Sequence, residues 1–144
     1  MNLDDELAVA WAGVVPPPQS SITAHDCDEC AEVRTFFADK PWTDFVDVAA
    51  LRYHYDALTL FTPRAFHYYL PAFIRATLAA PEEAALICSA IVSNVELELG
   101  VAARGMLQPF TPPQLAVVAR FLRALPPLEL ADHDQMAVLA ASLE

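Results

Sequence analysis

Proline placement constrains this chain more than any other feature of its sequence. Twelve prolines stand against three glycines in 144 residues. Proline fixes φ and lacks a backbone donor, so it suits the first turn of a helix and disrupts the middle of one. Phe61-Thr62-Pro63 and Phe110-Thr111-Pro112 each put a capping hydroxyl before a proline, the signature of a helix start. Gln114 completes a capping-box pattern with Thr111, and Phe61 and Phe66 have the spacing of a hydrophobic staple. In the stretch from Thr62 to Leu78, Phe66, Tyr69, Leu70, Phe73 and Ile74 fall at i, i+3, i+4, i+7 and i+8 and predict one apolar face. Arg64, His67, Tyr68 and Arg75 share the opposite face. Pro71 cannot donate to the carbonyl of His67, which predicts a kink or break there and a carbonyl that needs another donor if it is buried.

The rest of the chain reads in the same way. Asn2 caps a first helix whose inward stripe is Leu3, Leu7 and Trp11; Gly13 stops it, and Pro16-Pro17-Pro18 forms a stiff connector. A second helix is expected over Ile22 to Phe37, with Asp26 and Glu29 as a capping box and Cys30, Val33 and Phe37 on one face. Trp42 to Asp47 is a connector anchored by Trp42 and Phe45. Val48 to Leu60 predicts a helix with Leu51, Tyr55 and Leu58 aligned. Pro81 opens a helix that carries Cys88, Ile91, Val92, Val95 and Leu99, the most apolar of the set. The helix begun at Thr111 buries Leu115, Val118, Ala119, Leu122 and Leu125 and is closed by Pro126-Pro127; Asp132 to Leu143 forms the last. No segment alternates as a strand bounded by turns. The expected architecture is all-α: residues 1–144 as a single-domain bundle of six to seven short helices with proline-set corners.

Apolar content is 56 % and mean hydropathy is +0.33, a surplus that points to an interface with a partner or a second copy. No uncharged run reaches the ~18 residues that a membrane span needs. Asp4, Asp5 and Glu6 stand where a signal peptide carries Lys or Arg, so the expected location is the cytosol. The net charge of −11 disfavours direct contact with nucleic-acid phosphates and favours basic protein partners.

His25-x-Cys27-x-x-Cys30 is the strongest chemical motif. Three readings stay open for it. The thiols are inert core residues; or they bind zinc with His25 and a fourth ligand drawn from His54, His67, His133 or Cys88; or they form a redox pair. Asp26, Asp28 and Glu29 oppose the thiolate that redox chemistry uses, and no βαβ context surrounds it. Asp132-His133-Asp134 reads as a solvated cap. No Gly-rich phosphate loop, H-E-x-x-H or G-x-S-x-G motif is present.

H-D-C-D-E-C-A-E-V, Trp42, L-T-L-F-T-P-R-A-F-H-Y-Y-L-P-A-F and F-T-P-P-Q-L-A-V-V-A-R-F-L together resemble a family of small acidic bacterial proteins of unknown function. The resemblance covers Ile22 to Leu125 and implies a bacterial origin and one domain. It carries no activity.

The expected function is that of a non-enzymatic interaction protein, an immunity protein or antitoxin that neutralises a basic bacterial toxin. Asp28, Glu29, Asp44, Asp47, Glu96 and Glu98 are its expected acidic contacts, and Tyr53 and Tyr68 its aromatic anchors. The alternatives are a zinc enzyme or sensor built on His25, Cys27 and Cys30, and a homodimeric structural subunit.

Overall fold

The computed structural model describes residues 1–125 and 133–144. Pro126-Pro127 and Asp132 lie outside the described residues, as does the side chain of His133. The architecture is all-α, with eight helices among the described residues. These are α1 (Leu3–Ala10), α2 (Asp28–Phe37), α3 (Val48–Tyr53), α4 (Ala57–Leu60), α5 (Pro63–Ala79), α6 (Ala85–Leu99), α7 (Pro112–Ala124) and α8 (His133–Leu143). Single 3₁₀ turns stand at Gln19–Ser21 and Trp42–Asp44.

The expected caps form. Asn2 Oδ1 accepts from the Asp5 N–H at 2.8 Å, and Thr62 Oγ1 from the Ala65 N–H at 3.2 Å. Thr111 and Gln114 close a reciprocal capping box at the start of α7. Helix α5 lies at the centre. Phe66, Tyr69, Leu70, Phe73 and Ile74 are fully buried, as their spacing requires. One hydrophobic cluster takes side chains from all eight helices, from Leu7 of α1 to Leu143 of α8. Helix α7 packs on α1 and α8, and α5 packs on α6.

Four stretches differ from the sequence reading, the first two for a tertiary reason. Helix α5 runs through Pro71 as one helix, and the indole of Trp11 supplies the donor that Pro71 withholds from His67. Helix α2 begins at Asp28 and not near Ile22, because the Ile22 carbonyl accepts from the Thr62 N–H and Thr23 forms an antiparallel bridge with Phe61. The expected Val48–Leu60 helix divides into α3 and α4, tightened at the joint by bonds from Tyr55 N–H to Arg52 and from Ala57 N–H to His54. Tyr55 consequently turns outward. Helix α6 starts at Ala85, one turn late, with Glu82 and Glu83 exposed in the preceding turn.

Two polar side chains that the apolar pattern passes over tie helices together. Gln114 is 2 % exposed; its Oε1 accepts from the Thr111 N–H and from His67 Nε2–H, and its Nε2 donates to the Ala10 carbonyl. Asn94 is also buried, accepting from Arg104 and donating to the Ala90 carbonyl.

Candidate functional site

The loop before α2 is shaped by Arg34. Its guanidinium donates to Thr23 Oγ1 at 2.7 Å, to the His25 carbonyl at 3.0 Å and to Asp26 Oδ1 at 2.8 Å. Asp26 is therefore tied to Arg34, and the capping position falls to Cys27. The Sγ of Cys27 accepts from the Cys30 N–H at 3.3 Å. The two sulfurs are 2.9 Å apart; Cys27 is exposed and Cys30 is buried. The Cys30 thiol and then its backbone N–H hold the Cys27 thiol below its ordinary pKa. Burial, followed by the hydrogen bond to Cys27, pushes the Cys30 thiol up.

His25 is exposed on the same loop. Among the described residues, no three His, Cys, Asp or Glu side chains cluster in a way that could hold a metal ion. The ring of His54 packs tilted against Phe36 with centroids 4.2 Å apart, His67 bonds Gln114, and Cys88 is buried in α6.

Helix α2 and the end of α3 form a shallow groove lined by Ala31, Glu32, Thr35, Phe36, Tyr53 and His54. Tyr53 is 71 % exposed and meets the His54 ring edge-on at 4.9 Å. Burial lowers the His54 pKa, against the pull of Asp56 and Glu32. Cys27 precedes Ala31 by one helical turn and Thr35 by two, which aligns it with one edge of the groove, whereas Cys30 belongs to the buried row of Val33 and Phe37.

The remaining predicted contacts scatter. Asp28 and Glu29 are exposed in the first turn of α2, where they suit its dipole, and Asp44 is exposed in the 3₁₀ turn. Asp47 is exposed but caps α3, accepting from the N–H groups of Ala49 and Ala50. Glu98 turns inward to the loop after α6, accepting from the N–H groups of Arg104 and Met106 at 2.7 Å each. Glu96 is half-buried and accepts from Gln135 of α8. Tyr68 corrects the face assignment: it is 3 % exposed, and its hydroxyl accepts from the Trp42 N–H at 3.2 Å. The reason is that α5 is covered on that side by the Trp42–Asp44 turn, so its buried face is wider than one stripe.

A model described as a family of unknown function, DUF6714, matches residues 21–143. The chain belongs to this family. The DUF6714 match takes in the dithiol, the groove and all of α2 to α8, and leaves α1 outside even though Leu7 and Trp11 sit in the core. No curated protein and no solved structure matches this DUF6714 chain.

Proposed function

We propose that the protein is a binding module for a basic partner protein, and in its sharpest form an immunity protein that neutralises a basic bacterial toxin. One observation carries the reading: the fold uses its own cations internally and leaves the acids of α2 outward. Of eight basic side chains, Arg34, Lys40, Arg75, Arg104, Arg120 and Arg123 all bond to groups of the chain itself. Asp28, Glu29 and Glu32 are exposed and carry no ion pair among the described residues. Tyr53 lines the groove with Glu32, and an exposed aromatic face next to a carboxylate suits an Arg or Lys side chain through cation–π contact and charge together; the neighbouring Phe36 ring already carries the Lys40 ammonium at 5.3 Å. The groove is thus the place where a basic partner is expected to anchor, with Tyr53 in place of the buried Tyr68.

The test is protection of cells. Co-expression with the product of an adjacent gene that encodes a cationic toxin should relieve its toxicity. A Tyr53→Ala, Glu32→Lys variant that keeps its helical circular dichroism should lose that protection. Equal protection by the variant would move the interface elsewhere on the protein; absence of protection by the native chain would remove the immunity reading.

A second reading has its own observation. Leu97, Leu99 and Val101 are exposed at the end of α6, beside a shallow groove that includes Ser93, Glu96 and Ala102. That apolar surface supports self-association, which sedimentation of the purified protein would detect.

A further inference from the structure

We propose that Cys27 and Cys30 form a reversible redox dithiol, in which Cys27 attacks a small-molecule disulfide and Cys30 resolves the product. The roles follow from position. Cys27 ends the loop in extended conformation and Cys30 lies in the first turn of α2, which brings the sulfurs to 2.9 Å without any rearrangement of the backbone. The reach of one sulfur to the other is the first requirement of a dithiol that closes to a disulfide. Exposure then divides the work: Cys27 meets solvent, and Cys30 is fully buried.

The surroundings favour a thiolate at Cys27. The Cys30 N–H points at its sulfur, and the start of α2 adds the positive end of the helix dipole. Asp26, the nearest acid in sequence on the loop side, is taken up by Arg34. Asp28 and Glu29 oppose the thiolate, but they are solvent-exposed, where water and salt weaken their field. The objection that the acidic sequence raises is therefore answered by where those acids point.

The exchange balances. The Cys27 thiolate attacks one sulfur of a low-molecular-weight disulfide, forming a mixed disulfide and expelling one thiolate, which takes a proton from water. Cys30 gives its proton to solvent, and its sulfur attacks the Cys27 sulfur, forming the Cys27–Cys30 bond and expelling the second small thiolate. Two protein thiols are oxidised and one small disulfide is reduced to two thiols. The Cys27 side chain is exposed, so the step suits a small disulfide such as oxidised glutathione. This chemistry is independent of the partner-binding reading.

The full-length protein, freed of metal and still folded, would be equilibrated with mixtures of reduced and oxidised glutathione, quenched in acid, alkylated and mapped by mass spectrometry. Of the three cysteines, Cys27 and Cys30 should be lost together in one two-electron transition, and Cys88 should remain a thiol. Cys30→Ser should accumulate glutathione on Cys27, whereas Cys27→Ser should leave Cys30 unmodified. Cys88→Ser should keep the native transition. A structural pair would give neither the shared transition nor the asymmetry between the two variants. Loss of Cys88 in place of the pair, a disulfide that forms only after unfolding, or no transition at all would overturn the proposal.

Discussion

The indole N–H of Trp11 donates to the backbone carbonyl of His67 at 2.7 Å, across 56 residues of sequence. Pro71 has no N–H to give that carbonyl, so a residue of α1 completes the hydrogen bonding of α5. This is how a helix with an internal proline stays whole at the centre of the fold. Trp11→Phe keeps the ring and removes the donor, and should cost about 1–3 kcal/mol because the carbonyl loses its partner. Pro71→Ala restores a donor within α5. In that background Trp11→Phe should cost less, with a coupling of about 0.5–3 kcal/mol in a urea double-mutant cycle. Strictly additive costs would show that the two residues act separately.

Phe73 and His67 test the two sides of α5. Phe73 is fully buried, and Phe73→Ala should destabilise by about 3–5 kcal/mol. His67 is half-buried between Trp11 and Phe110 and bonds Gln114. Its removal leaves Gln114 Oε1 with the Thr111 N–H as donor, so His67→Ala should cost only about 1 kcal/mol. Equal losses in chemical denaturation would contradict the assignment.

Alkaline pH should unfold the protein partly through Tyr69. Its hydroxyl donates to the Phe37 carbonyl at 2.8 Å in the core, and burial pushes its pKa far above the ordinary value. A raised folded pKa means that the unfolded chain loses the proton first. The contribution is complete below the unfolded tyrosine value of ~10 and is lost as pH rises above it. Tyr68 is shifted the same way by burial. Denaturation midpoints should therefore fall steeply above that pH, and Tyr69→Phe should flatten the slope. An unchanged slope in Tyr69→Phe would place the alkaline sensitivity elsewhere.

Local physics is what made much of this fold readable in advance. The Asn2, Thr62 and Thr111 caps, the inward stripe of α5 and the need of His67 for an outside donor are all written in short-range spacing. Tyr68 was misplaced because periodicity defines one stripe and cannot reveal that the Trp42–Asp44 turn covers a second side. The late start of α2 depends on Thr62 and Phe61 holding Ile22 and Thr23, contacts that link positions far apart in sequence. Glu98 reads as a surface acid and serves as the acceptor for a loop. Within the site, the Cys27–Cys30 spacing was visible, but the groove was not. Tyr53 and His54 reach Phe36 only because the chain turns between α3 and α4.

The groove on α2 and α3, with Glu32 and Tyr53 in its lining and Asp28 and Glu29 exposed on the same helix, is proposed to receive a basic protein. Stopped-flow association of the purified chain with a cationic toxin, should an adjacent gene encode one, followed as salt is raised, is the decisive measurement. The association rate should fall steeply with salt, because exposed charges are screened beyond ~8–10 Å. Reversal of Asp28, Glu29 and Glu32 to Lys should lower that rate, and Tyr53→Ala should act mainly on dissociation. Binding that is independent of salt and indifferent to all four substitutions, or no binding at all, would contradict it.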